Sequence, residues 1–156
     1  MLKPSSLGAL LLASIAQLQN DPTRLGLFVD KGRIVCTGTR ALSFEYRYTL
    51  NVVVQDYAGD INDLVVPLLG WIAVHQRDLL DREGHEPFTF EADLLDGDSA
   101  DVSIDLELTE RVKVDVAAGR FTAVNLPEPP VDDSFAGAAP AHHWSLLMNG
   151  DQVLPA

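Results

Sequence analysis

Apolar positions along this chain recur first with a helical period and then mostly with a period of two. Leu7, Leu10, Leu11, Ile15 and Leu18 share one helical face. The spacing predicts an amphipathic helix from Pro4 to Asn20, capped by Ser5 or Ser6. Asp21-Pro22 ends it, because a residue before proline is pushed out of the helical region. Leu27 to Asp30 and Arg33 to Thr37 read as two short strands joined by a tight turn at Lys31-Gly32, where Gly32 can take positive φ. From Ser43 to Tyr57 the alternation is strict. It puts Phe44, Tyr46, Tyr48, Leu50, Val52 and Val54 on one face of a long strand.

Ile61, Leu64, Val65, Leu68, Leu69, Ile72, Gln76 and Leu79 return to helical spacing, with Asp60 or Asn62 as cap and an end near Leu80. Pro67 leaves two readings open. A helix that begins at Asp60 is kinked there, whereas one that begins near Val66 holds Pro67 in its first turn. Pro87 to Leu95 alternates again, and Asp96-Gly97-Asp98-Ser99 turns the chain. Val102, Ile104, Leu106, Leu108, Val112, Val114 and Val116 then mark the longest strand, whose apolar face Glu110 interrupts. A bulge, the end of the core or a salt bridge to a neighbour would each account for that glutamate. Ala118-Gly119 leads into a last strand, Phe121 to Leu126.

These elements predict an α+β fold over residues 1–126, a mainly antiparallel sheet with two helices packed on one face. Residues 127–141 form an arm rich in proline, alanine and acid. In residues 142–156 two apolar runs flank Asn149-Gly150, the strongest short hairpin signal. An isolated hairpin is marginal in water, so this one needs a docking surface on its own chain or another, with Trp144 as its anchor.

A length of 156 residues suffices for a core without disulfides, and the single cysteine, Cys36, excludes an internal disulfide framework. The net charge is −12. It argues against a surface that grips nucleic acid or anionic lipid. The charge is also uneven. Residues 1–40 carry Lys3, Arg24, Lys31, Arg33 and Arg40 against Asp21 and Asp30, a net of +3, which leaves −15 for the rest. Glu91, Asp93, Asp96, Asp98, Asp101, Asp105 and Glu107 follow one another with no basic residue between them. Identical copies could meet head to tail on such a gradient, or the acid could simply keep the protein soluble. The apolar run Ala9 to Ala13 is too short to span a membrane and lacks a small-residue cleavage site, so the chain reads as soluble and cytoplasmic in origin.

Chemistry is sparse. There is no Gly-x-Ser-x-Gly elbow, phosphate loop or dinucleotide fingerprint, and no cofactor is implied. Cys36 sits in an apolar strand pattern and reads as a small buried thiol. His75, His85, His142 and His143 lack the spacing of a helical zinc site, and Asp96 to Glu107 fails as a calcium loop because Ala100 and Asp101 fill ligand and glycine positions. The sequence therefore predicts no catalytic or metal site and no enzyme. The candidates are interfacial instead: Asp30, Lys31 and Arg33 on the first strands, Glu45, Arg47, Glu110 and Arg111 on the long ones, and Trp144 in the hairpin.

Met1-Leu2-Lys3-Pro4, Phe28 to Gly32, Ser43 to Val54, Val66 to Trp71, Phe88 to Asp93 and Leu108 to Arg111 together resemble the tail completion protein R (GpR) family of contractile-tailed bacteriophages. The match runs in order to about Pro130, more loosely through the hairpin, and departs most over Val131 to Ala141. The resemblance implies a tail-terminator-like fold in a virion or headless tailocin. Its site is the head-proximal end of the tail, reached from the host cytoplasm during assembly. It also implies a homohexameric ring as the partner state, contacts with tube, sheath and head–tail connector, and DNA passing through without specific binding.

Overall fold

The computed structural model describes residues 1–36, 42–95, 98–117 and 119–128, and the backbone of residues 147–148 and 151–152. Its first helices are α1 (Lys3–Ser14) and α2 (Ala16–Asn20), followed by a 3-10 turn (Pro22–Arg24). The predicted single helix is thus broken at Ile15, which adopts extended backbone (φ −109°, ψ 112°). Ile15 stays buried at the break, and Leu18 beyond it reaches the same core. Gly8 lets α1 lie close on the sheet: a Cβ there would stand 2.8 Å from Leu27 Cδ1.

The sheet has five strands, β1 (Leu25–Cys36), β2 (Phe44–Tyr57), β3 (Thr89–Leu94), β4 (Ala100–Ala117) and β5 (Arg120–Asn125). All pairings are antiparallel, in the order β1-β2-β4, with β3 and β5 sharing the far edge of β4. β3 covers Ala100 to Asp105 and β5 covers Val112 to Ala117. The expected turn at Lys31-Gly32 is instead a bulge within one long strand. Asp30 pairs with Thr49 and Arg33 with Arg47, so Lys31 and Gly32 together oppose Tyr48. Lys31, not Gly32, takes the positive φ of 50°.

The third helix, α3 (Asn62–His75), settles the Pro67 question: the proline is inside the helix, as a start near Asp60 required. The helix stops at Gln76 rather than near Leu80, and a 3-10 turn (Arg77–Leu79) follows. Gln76 leaves helical geometry to enter the core. Its Oε1 accepts the Thr109 backbone N–H at 3.0 Å and its Nε2 donates to Thr109 Oγ1 at 3.1 Å. This fills part of the gap on β4 between β3 and β5.

The helices cover one face of the sheet. Leu7, Leu11, Leu18, Leu64, Leu68 and Ile72 pack against Leu50, Val52, Val54, Ile104, Leu106 and Leu108, all essentially buried. Removing about 25 cal/mol of unfavourable hydration per Å² of apolar surface makes this layer the main source of stability. Two further strands, β6 (Leu147–Met148) and β7 (Asp151–Gln152), pair antiparallel, Leu147 with Gln152 and Met148 with Asp151; Asn149-Gly150 lie outside the described residues.

Candidate functional site

Strand registers sort the sheet's side chains into two faces. On the helix-covered face Glu110 is buried, at 5% exposure. No bulge marks it, since β4 pairs with β2 without a break from Val102 to Val112. Its carboxylate closes the start of α1. Leu2 N–H donates to Oε2 at 2.6 Å and Lys3 N–H to Oε1 at 3.4 Å, while the Tyr48 hydroxyl donates to Oε1 at 2.6 Å. A negative group suits the positive end of the helix dipole. Ser5 and Ser6 make no cap bond; Ser6 Oγ instead accepts the Trp71 indole N–H at 3.1 Å. Burial and the neighbouring Glu110 charge push the Tyr48 hydroxyl far above its ordinary pKa of 10.

Beside this cap lies an open cleft of about 220 Å³, lined in part by Leu2, Lys3, His75, Glu110, Leu126 and Glu128. Lys3 Nζ donates to Gln76 Oε1 and pairs with Glu128 at 2.7 Å. That ion pair fixes the point from which the arm departs, and Leu126 N–H adds a bond to Arg111 O at 2.9 Å. His75 stacks on Trp71 with centroids 4.8 Å apart. Burial holds its pKa below 6.5, Lys3 lowers it further, and Glu128 opposes the shift.

The opposite face carries no layer among the described residues. It holds Glu91 and Asp93 of β3 with Asp101, Asp105 and Glu107 of β4. Asp93 stands directly opposite Asp101, a costly pairing of like charges. Farther along the same face are Arg33, Arg47, Arg111 and Lys113, with Glu45 and Asp115 among them. Arg47 pairs with Glu45, and Lys113 with Asp115 at 2.9 Å, while Arg33 faces Arg47 across the ladder. The exposed face thus runs from acidic at one end to mixed charge at the other, but of its four cations only Arg33 comes from residues 1–40, so this is not the gradient read along the chain.

Of the predicted interface residues, Asp30, Lys31, Arg33, Arg47 and Arg111 are exposed and Glu45 is half-buried. Glu110 points away from Arg111, to the other face, and serves the fold; Trp144 lies outside the described residues. Lys31 and Arg33 make no ion pair among the described residues. Cys36 is exposed, not buried, because β1 runs past the helices. The same overhang leaves Ile34 62% and Val116 59% exposed on the helix side. Sequence reasoning missed the distribution of phenylalanines. Among the described residues the three exposed ones, Phe28, Phe90 and Phe121, lie one on each edge strand.

Among the described residues no three His, Cys, Asp or Glu side chains gather as a metal site, and no helix is long and apolar enough to cross a membrane. The model of the P2 phage tail completion protein R (GpR) family matches residues 1–129. The chain is also similar to tail completion protein R of Escherichia phage P2, at 44% identity over 155 residues, covering 98% of this chain and 97% of that protein. No solved structure matches it.

Proposed function

This chain belongs to the P2 phage tail completion protein R (GpR) family, and on that premise we propose that it is a structural protein, not an enzyme, that completes a contractile phage or tailocin tail. In this reading it assembles in the host cytoplasm and stays in the particle. Six copies form a ring at the head-proximal end of the tail. The ring caps tube and sheath and offers the surface to which a connector joins where there is a capsid.

The observation that carries the ring is the asymmetry of the sheet. A closed ring needs two unlike patches on each subunit. One edge of the sheet is β1, bearing Lys31 and Arg33; the other is divided between β3, bearing Glu91 and Asp93, and β5. The acidic half of the uncovered face, turned to the lumen, repels DNA phosphates and lets the genome pass. The apolar hairpin β6–β7, tethered through Glu128, docks on the tube or connector.

Solution mass and copy number test the reading. A mass of six chains for the purified protein, and six copies in each finished particle by quantitative mass spectrometry, are expected. A chain that acts in assembly but is absent from finished particles would be an assembly factor, and the terminator reading would fail.

A further inference from the structure

We infer that copies of this chain join by sheet extension, the β1 edge of one copy lying against the β3–β5 edge of the next. The inference rests on the ring reading and says which surfaces close it.

Three observations support the pairing. The first is charge: Lys31 and Arg33 are exposed on β1 and Glu91 and Asp93 on β3, and because Arg33 lies level with Thr109 of β4 but Glu91 with Ser103, the two groups meet when the next copy is staggered by about six residues along the strands. Neither group forms an ion pair among the described residues of its own chain. The second is apolar exposure. β1 shows Phe28, Val29 and Ile34, β3 shows Phe90 and an 86% exposed Leu94, and β5 shows Phe121 and Val124. Such edges invite pairing unless something covers them. The third is direction. Every step from β1 through β2 and β4 to β3 or β5 is antiparallel, so both outer strands of the far edge run opposite to β1. A second copy added by translation and rotation along the sheet therefore meets β3 with an antiparallel β1. The alternation continues across the junction without a parallel pair.

The geometry also fits closure. Each copy contributes four strand positions, and six such copies at about 4.8 Å per strand, tilted by about 36–45° as closure requires, give a circumference of roughly 140–165 Å and a diameter of roughly 45–52 Å. In that arrangement one face of every sheet lines the passage and the other faces outward. The charged face, free of helices, is the one that turns inward.

A lysine and a bulge on an edge strand are also devices that keep a solvent-facing edge from pairing. That alternative predicts that the charges have no effect on mass. The test uses two full-length variants, Lys31→Glu with Arg33→Glu, and Glu91→Lys with Asp93→Lys. Far-UV circular dichroism checks their folding. Each alone should be monomeric by analytical ultracentrifugation, because like charges then meet at every junction. Mixed in equal amounts they should recover the wild-type ring mass, with the two variants present three to three by native mass spectrometry. Alternation satisfies every junction of a head-to-tail ring. If a variant fails to fold, Arg33→Glu and Asp93→Lys singly carry the same test. A wild-type ring whose mass neither variant alters, or folded variants that stay monomeric when mixed, overturns edge joining and leaves the ring standing. A wild type that is monomeric at every concentration and in particles overturns both.

Discussion

Replacing Glu110 by alanine should be among the most destabilising single changes in this protein, although glutamate on an apolar strand face looks like a defect. Alanine leaves the buried Tyr48 hydroxyl and the Leu2 and Lys3 N–H groups without their acceptor. A stranded buried hydroxyl costs about 2 kcal/mol. Loss of a helix N-cap adds about 1 kcal/mol, and loss of a carboxylate from the dipole about 0.5–1 kcal/mol. The sum is about 3.5–4 kcal/mol, a large share of the roughly 5–15 kcal/mol that holds a domain folded. Glu110→Gln keeps the shape and one oxygen but not the charge, and should cost about 1–2 kcal/mol. Tyr48→Phe supplies the control. In the wild type it removes a hydrogen bond to a charged group and costs about 1.5–3 kcal/mol; in the alanine background it removes a stranded donor and should cost nearly nothing. Urea unfolding followed by circular dichroism and tryptophan fluorescence, at protein concentrations low enough to keep the chain monomeric, measures the wild type and the four variants. The midpoint should move and the slope should not. A cost below about 1 kcal/mol for Glu110→Ala, or equal costs of Tyr48→Phe in both backgrounds, would refute the capping role.

The other expectations concern the helix ends and the arm. Burial and Lys3 hold the His75 pKa below 6.5, so the unfolded chain takes up a proton there that the folded chain resists. Stability should therefore fall as pH drops below about 6.5, and His75→Gln should flatten the profile between about pH 7.5 and 5; parallel profiles would remove His75 from the account. Pro67→Ala restores an amide donor inside α3 and should raise stability by about 1–2 kcal/mol after the entropy that proline saves is discounted. An unchanged midpoint would show that α3 gains nothing from that donor. Deleting residues 129–156 should leave the circular dichroism spectrum and the urea slope of the core intact, since among the described residues the buried core runs from Leu7 to Val112. A smaller slope would show that the arm belongs to the cooperative unit.

Much of this fold was legible because its elements carry local periodicity. The alternation in β2 and in the first part of β4 and the apolar stripe of α1 predicted both the elements and the buried face. What was not legible depends on partners far along the chain. Glu110 caps a helix that starts 108 residues earlier, and no local pattern marks such a partner. Gln76 fits the apolar helical spacing, yet it ends α3 because Thr109 and Lys3 bind its amide. At Lys31-Gly32 the local chemistry of a turn lost to the ladder, because β2 is long enough to pair on both sides and absorb the extra residue. The interface residues split the same way. Lys31, Arg33, Arg47 and Arg111 reached the surface as their polar positions required, while Glu110 did not. The three edge phenylalanines went unnoticed because exposure is set by strand order, which a single sequence does not display.

The amide of Gln76 has a consequence for stoichiometry. Among the described residues the far side of β4 is paired with strands at its two ends, and no strand covers the stretch between them. Left open, that stretch would be a third place where another chain's backbone could bind. If copies join edge to edge as proposed, Gln76, by occupying the Thr109 N–H, leaves one connector at each end of the sheet. Bifunctional units make only lines and loops, whereas trifunctional ones branch into gels. Gln76→Gly should therefore be read by turbidity as well as by stability, because unbranched growth is what a finite particle requires.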